Sequence, residues 1–436
     1  MKKIMEFSMN AKILSTTEKT FTVQVTVAYE RNMLNAEEHL QYCLNEAGAL
    51  STIELLEYFD TDGSPIELGG IHYTSKGQAE KEYQTPYGAA IVNRHVYQTS
   101  KGGKTLVPLE IDSKVIGTTT PKFAKMISSK YSCDGAPGVQ RDLSENHGRP
   151  VALSFIKKVT DLVGTIALAK EETWSYKLPD FPKPVASISA GLDGTCLNMK
   201  EQGWREAMCG TVAFFDKEGE RMHTLYTAAS PEYGKEKFLN ALGNELTKVM
   251  SLYPDTPIIG LADGAVCNWS FLEKYCDILT VDFWHVTEYL AKAANILFPG
   301  KKKIKEKESW LKDTCHRLKN KSGIAARIIR ELIQFDEETK LTETHHNELN
   351  TIITYLRNQK NRMQYHKNVK NNYPIGSGVT EAACKTIVKN RMCKGGAKWK
   401  ELGASVVLTL RSLHTTPFRW EQFWSKYSQY GYSMAL

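Results

Sequence analysis

The chain has no Cys-x-x-Cys pair, and its nine cysteines are odd in number. That pattern argues against a disulfide framework and against a zinc ribbon, and a reducing compartment is the simpler setting. No uninterrupted apolar stretch approaches the ~20 residues needed to cross a bilayer. The N-terminal Met1-Lys-Lys-Ile-Met-Glu-Phe-Ser8 lacks the apolar core of a signal peptide. The expected setting is cytoplasmic, with no membrane partner, and the sequon Asn268-Trp-Ser270 then carries no meaning. No His or Cys cluster stands at zinc-ligand spacing. A Gly-x-Ser-x-Gly element is missing too, so an α/β-hydrolase site is unsupported. Gly102-Gly-Lys-Thr105 looks like the end of a phosphate loop, but the first glycine of that pattern would fall on Gln98, and Pro108 opposes a following helix. His345-His346 sits in a polar helical stretch and reads as solvated.

What is present is a soluble, globular composition: 436 residues, 42% hydrophobic and 10% aromatic. That length allows several domains and at least one sizeable core. The net charge of +7 is a mild basic excess, compatible with a nucleic-acid partner.

The expected class is α/β, in five stretches. Residues 1–115 form an α+β region, with an alternating strand at 20–29, a helix at 34–59, and strands and turns over 85–111. Residues 116–180 are helical. Within them Val139–Asn146, a turn at Gly148 and a helix over 150–169 fit a helix-turn-helix, with Pro150 in the first helical turn and Ser154, Lys157 and Lys158 facing a DNA groove. An ordinary helical hairpin fits the same pattern. Residues 170–184, with three prolines, read as a linker. Residues 181–300 read as strands at 185–192, 207–215 and 221–229, a helix at 235–252, a strand at 258–262, a short helix at 269–275 and a strand at 278–283. Three consecutive strands followed by strand–helix alternation predict a mixed sheet covered by helices, the order of an RNase H-like domain. Residues 301–369 are a helical, polar insertion whose start is strongly basic, including Lys301, Lys302 and Lys303. Such a run is either a solvated face or a seat for a DNA backbone. Residues 370–436 complete the catalytic domain, with helices at 379–392 and 398–413, and Trp420 and Trp424 packed inward.

Three acids stand where carboxylates would be useful. Asp193 and Asp263 each end an apolar run, and in an open sheet sites form at the carboxyl ends of strands. Each also precedes a glycine, so each has a plain reading as a turn. Glu381 lies just inside a helix start, where it also suits the helix dipole. Lys385, Lys389 and Arg391 follow it, and cations beside one acid suit a site that holds a metal ion and DNA phosphates together. Two carboxylates on strands and one on a helix can converge on a pair of Mg²⁺ (or Mn²⁺) ions. Such ions take oxygen ligands and, roughly 3.5–4 Å apart, activate the attacking oxygen and stabilise the leaving one. Asp282-Phe-Trp-His285 follows the last strand. A lone His in that position is either a structural residue or a contributor to the site.

Four stretches together resemble bacterial insertion-sequence transposases of the DDE class, of the ISKra type within the wider Mutator-like group. They are Leu261-Ala-Asp263-Gly-Ala265 with Trp269, Val281-Asp282-Phe-Trp-His285, Pro374-Ile-Gly-Ser-Gly-Val-Thr-Glu381-Ala-Ala-Cys-Lys385, and Leu402-Gly-Ala-Ser-Val-Val-Leu-Thr-Leu-Arg411. The likeness extends over the helix-turn-helix region and, more loosely, to Thr85-Pro-Tyr-Gly88 through Arg94. It implies an RNase H-like fold interrupted by a mostly helical insertion, and a catalytic triad of Asp193, Asp263 and Glu381. Asp282 and His285 match an auxiliary motif of the group. It also implies double-stranded DNA partners, a dimer or larger assembly on DNA, and a nucleoid-associated location. Many relatives carry a cysteine-bearing zinc element after the position of Arg94. Here Tyr97-Gln-Thr-Ser-Lys-Gly-Gly103 has no cysteine, so a zinc site there is not expected. A structure-selective nuclease of the same fold and a non-enzymatic DNA-binding derivative are the competing expectations.

Overall fold

The computed structural model describes residues 10–171, 173–232 and 235–432. The first nine residues of the N-terminal region and the last four of the chain lie outside the described residues. No helix among the described residues is long and apolar enough to cross a membrane. The chain divides into two compact units, one running to Tyr176 and taking in the segment from Arg419 onward, the other spanning Lys177–Phe418.

In the first unit, strands β1 (Ala11–Thr16) and β2 (Phe21–Val25) form an antiparallel pair against helix α1 (Met33–Glu57), which Asn32 caps. A four-stranded antiparallel sheet follows, of β3 (Ile66–Leu68), β4 (Ile71–Gln84), β5 (Ala89–Thr99) and β6 (Gly102–Leu106). After a short helix α2 (Pro108–Asp112), three helices pack together: α3 (Pro121–Cys133), α4 (Ala136–His147) and α5 (Leu153–Lys170). Helix α5 starts three residues later than expected, so Pro150 lies outside its first turn. The cause is local. Gly148 closes α4 at φ 60 and ψ 30, and the Arg149 N–H donates to Leu143 O at 2.8 Å, a helix-ending motif that needs left-handed backbone. Arg149 Nε then donates to Thr85 O at 3.0 Å, and Gln140 Nε2 donates to Val151 O at 2.7 Å, which holds the chain extended until Ala152. The C-terminal helix Arg419–Tyr430 belongs to this unit, with Trp420, Phe423, Trp424 and Tyr427 buried.

The second unit is an α/β layer structure built on one mixed five-stranded sheet. Strands β7 (Ser187–Met199), β8 (Gly203–Phe215) and β9 (Arg221–Ala229) are antiparallel neighbours. Helix α6 (Glu236–Leu252) leads to β10 (Ile258–Ala262), α7 (Val266–Leu272) and β11 (Ile278–Val281). Strand β10 runs parallel to both β7 and β11, so the order across the sheet is β11-β10-β7-β8-β9. Burial follows from this. Residues 187–192 of β7, 207–215 of β8 and the whole of β10 are covered on both faces and carry near-continuous apolar runs. Helices α8 (Phe283–Leu297), α9 (Ile304–Asn320), α10 (Ile324–Glu338), α11 (Glu343–Gln359) and α12 (Tyr365–Lys370) follow. Leu318, Ile328, Leu332, Leu349, Ile353 and Leu356 from these helices join the core of the sheet. The chain then enters α13 (Gly378–Ala383), continues as a π-helical segment over Cys384–Lys389 and a last turn α14 (Asn390–Met392), and ends the unit with α15 (Glu401–Thr415).

Candidate active site

Asp193 is not at a strand end. It lies in the middle of β7, opposite Cys209 of β8. The apolar run stops at Leu192 because the parallel neighbour β10 pairs only with Ile188–Gly191. Beyond that point β7 continues as one arm of a hairpin with β8. Asp193 therefore lies just past the carboxyl end of β10. Its Oδ1 accepts from the Gly194 N–H at 2.7 Å.

Asp263 directly follows β10, as expected. Its turn is held from the helical insertion. The Tyr355 hydroxyl donates to Asp263 O at 2.8 Å, and Gln359 Nε2 donates to Gly264 O at 3.1 Å. Gly264 has φ 121, and a Cβ there would stand 3.0 Å from the Tyr355 ring. The turn thus requires glycine both for its backbone and for the close approach of α11. Tyr355 in turn stacks on Tyr289 of α8, with ring centroids 3.8 Å apart.

Glu381 reaches the sheet because α13 packs closely onto β7 and β8. A Cβ on Gly191 would lie 2.2 Å from Thr380 Oγ1, and the Thr380 and Thr211 hydroxyls are 2.7 Å apart. The residue next to Glu381 is therefore packed on Gly191, two positions from Asp193 on β7, and hydrogen-bonded to β8. The π-helical segment after α13 leaves carbonyls without their usual helical partners. Arg411 of α15 supplies donors: its Nε donates to Ile387 O at 2.6 Å and its guanidinium also donates to Thr386 O. Cys384, the first residue of the segment, sits with Sγ 3.7 Å from Asp193 Oδ2.

The carboxylates influence one another. Burial pushes the Asp193 carboxyl up, the Gly194 N–H opposes this, and the negative charges of Asp263 and Glu381 push it up further. The Cys384 thiol is held well above its usual range, first by its hydrogen bond with Cys209, then by burial and by Asp193. It is a neutral S–H beside a carboxylate, not a nucleophile. A cleft of about 690 Å³ is lined by Asp193, Thr195, Glu381, Cys384, Lys385 and Lys389.

Asp282 is fully buried and caps α8, accepting from the His285 N–H at 2.8 Å. Its other oxygen accepts from the Ser377 N–H and, at 2.6 Å, from the Ser377 hydroxyl. Ser377 Oγ also lies 2.9 Å from Glu381 Oε1. A hydroxyl has one hydrogen, so Ser377 donates to one of the two carboxylates at a time. Asp282 is thus a positioning residue for the Glu381 turn. His285 lies against Tyr289 and Tyr355 with its Nδ1 3.7 Å from Glu288, and supports the same aromatic stack.

The expected DNA contacts divide. Lys385 and Lys389 are exposed at the cleft, and Lys301, Lys302 and Lys303 are exposed in a 3-10 turn before α9. Ser154, Lys157 and Lys158 are exposed on α5, away from its buried residues Ile156, Val159 and Val163. Arg391 is not on the surface. It is buried, with its guanidinium over the Trp399 ring at 5.3 Å. At the end of the π segment the helix turns this side chain inward.

Among the described residues no three His, Cys, Asp or Glu side chains lie close enough together to hold one ion. The donor chemistry nonetheless suits a hard divalent cation. Mg²⁺ needs few protein carboxylates and keeps several waters, and mutual repulsion on Asp193 is what a cation would relieve. Ser377, Tyr355, Gln359 and Arg411 were not singled out from the sequence. Tyr355 and Gln359 carried no signal; Ser377 stands between two glycines before Glu381, and Arg411 follows the apolar run Val406–Leu410. No protein-family model matches the chain, and no curated protein matches it.

Proposed function

We propose that the Lys177–Phe418 unit is an RNase H-like phosphoryl-transfer domain and that the chain is a DDE-class DNA transposase. The observation that carries this reading is a cleft where Asp193 of β7 and Glu381 of α13 stand with Lys385 and Lys389, and Asp263 follows the end of β10 that is level with Asp193. The strand order β11-β10-β7-β8-β9, three antiparallel strands then two parallel ones with a helical insertion before the last acid, supports the fold assignment.

In this reading Asp193, Asp263 and Glu381 would share a pair of Mg²⁺ or Mn²⁺ ions, which when bound would supply charge neutralisation at the scissile phosphate and a more acidic attacking oxygen. The protein's part is geometric. The Tyr355–Asp263 and Asp282–Ser377–Glu381 contacts fix two carboxylates, and Lys385 and Lys389 receive phosphates flanking the cut. Water attacks the phosphorus at the element's end, the P–O3′ bond breaks, and the departing oxygen takes a proton as a 3′-OH. That hydroxyl then attacks a target phosphodiester, joining one strand and releasing another 3′-OH. The partners are the terminal inverted repeats and target DNA, read in part by the helix-turn-helix of α4 and α5 through Lys157 and Lys158 and gripped further by Lys301, Lys302 and Lys303. The chain acts as a homodimer or larger on DNA, in the nucleoid.

Asp263→Asn should abolish Mg²⁺-dependent cleavage of end-containing DNA and leave end binding nearly intact. Retained cleavage sinks the assignment. A strand-transfer assay on pre-cut ends separates a transposase from a nuclease of the same fold, because only the former joins DNA.

A further inference from the structure

The loop between α14 and α15, Cys393-Lys-Gly-Gly-Ala-Lys-Trp-Lys400, is fastened to the far end of β7. The Trp399 N–H donates to Asn198 O at 2.9 Å, and the Lys200 N–H donates to Trp399 O at 2.8 Å. The Trp399 indole N–H donates to Met392 O at 2.8 Å. Gly395 and Gly396 have φ of 61 and 66, backbone that other residues rarely adopt. The loop is therefore held in one shape. It presents Lys394, Lys398 and Lys400, all exposed; beside it the β7–β8 turn presents Lys200, and Arg205 is exposed near the start of β8. The exposed acids of this surface are Glu201, Glu401 and Glu206, and Glu206 is ion-paired to Lys235 at 2.6 Å. Trp204, near the start of β8, is 64% exposed but stands on the opposite face of the hairpin from Arg205. The surface runs on to Lys385 and Lys389 at the cleft through the helical segment that precedes the loop.

Exposed lysines alone are ordinary. What sets this group apart is a rigidly fixed cationic loop fastened along the edge of the strand that carries Asp193, continuous in sequence with the helical segment that lines the cleft. Cations spaced along such an edge match successive phosphates. We propose that this surface is the outer half of a nucleic-acid track, taking the DNA backbone that leads away from the cleft. Lys200, Arg205, Lys398 and Lys400 contact phosphates. The proposal rests on the reading of the cleft as a nucleic-acid site.

The test is binding of the full-length, metal-free protein to a fluorescent DNA duplex, followed by anisotropy across a KCl series. Removing one cation that neutralises a phosphate should lower the slope of log K against log salt by about 0.9. The variant Arg205→Ala/Lys398→Ala/Lys400→Ala should therefore lose about 2–3 from the slope and weaken binding ~10–100-fold at low salt. Lys217→Ala/Lys274→Ala/Lys340→Ala, a surface change of equal charge elsewhere in the same unit, should keep most of the slope. Trp204→Ala, on the other face of the hairpin, should leave both affinity and slope unchanged. Unaltered melting temperatures confirm that the variants fold. An unchanged slope in the first variant, or an equal loss in the control, overturns the proposal while Asp263-dependent cleavage still stands. So does binding to anionic lipid vesicles that the first variant loses while its DNA binding is kept. Wild-type protein with no salt-dependent DNA binding overturns both the surface and the cleft reading.

Discussion

Replacing Asp282 by Asn changes one atom and should disturb the site more than the position's distance from any substrate suggests. The carboxylate is fully buried and accepts on both oxygens, from the His285 N–H on one and from the Ser377 N–H and hydroxyl on the other. An amide offers one acceptor oxygen and one donor nitrogen. If the oxygen caps α8, the new NH₂ faces the Ser377 N–H; if it serves Ser377, the NH₂ faces the His285 N–H. In either orientation a buried backbone donor loses its acceptor, at a cost of about 1–3 kcal/mol. For a unit of this size that is a fall of roughly 2–12 °C in melting temperature. Asn is itself a good helix cap, so the first orientation should win and the damage should fall on Ser377. Ser377 also reaches Glu381 at 2.9 Å, so cleavage should fall along with stability. Ser377→Ala removes the same link from the other side. Because the two residues share one hydrogen-bonded network, their effects should overlap in a double-mutant cycle by about 0.5–3 kcal/mol. The measurements are thermal unfolding and single-turnover cleavage of the two single variants and the double. Additive effects, or an Asp282→Asn protein that melts and cuts like the wild type, would show that the buried network does not position Glu381.

Two further outcomes follow from the geometry. Tyr355→Phe keeps the stack on Tyr289 but deletes the donor to Asp263 O. It should cost about 1 kcal/mol in chemical denaturation and slow cleavage several-fold; no change in either would show that α11 does not hold the turn. For Asp193 the sign is the reverse of a salt-bridged carboxylate. Its folded value is raised, so the folded state binds the proton more tightly than the unfolded chain, whose value is about 3.9. Stability is then greatest below the unfolded value, declines as pH rises through the folded value, and is level above it. In chelator, Asp193→Asn should therefore melt higher than wild type at neutral pH, with the gap closing toward pH ~4. A variant that is less stable at neutral pH contradicts the burial and repulsion assigned to this carboxyl.

The sheet of the second unit was legible because its strands are buried on both faces and read as apolar runs bounded by turns. Expected and observed limits for β9 and β10 coincide. The extension of β7 to Met199 was not legible, because past Leu192 the parallel neighbour β10 is gone, a single bridge to Trp399 takes that edge, and the apolar run breaks at Asp193-Gly-Thr195. Strand β4 was missed for a related reason. Its sequence, Ile-His-Tyr-Thr-Ser-Lys-Gly-Gln-Ala-Glu-Lys-Glu-Tyr-Gln, is exposed along most of its length and shows no alternation. The acids themselves could be picked out one by one, but the side chains that orient them could not. Tyr355, Gln359 and Arg411 act through backbone carbonyls of distant segments, and no local pattern marks a side chain for such a partner. The inward turn of Arg391 was hidden as well, since a π segment shifts every following residue around the helix axis.

The insertion between Asp263 and Glu381 is more than an arm spliced into a finished fold. Its helix α11 supplies Tyr355 and Gln359 to the turn after β10. Its last helix supplies the Tyr365 hydroxyl to Val281 O at 2.9 Å and Asn368 Nδ2 to Thr280 Oγ1 at 2.8 Å, both on β11. The chain then passes directly into the Gly376–Ser377 turn on Asp282. The ends of both parallel strands are thus satisfied by the segment that separates the second acid from the third. Those are buried carbonyl and hydroxyl groups that would otherwise need other partners. Their satisfaction also fixes where Glu381 can arrive. The insertion and the acidic site therefore share one set of contacts, and a change that loosens α11 or α12 should register first at the carboxylates.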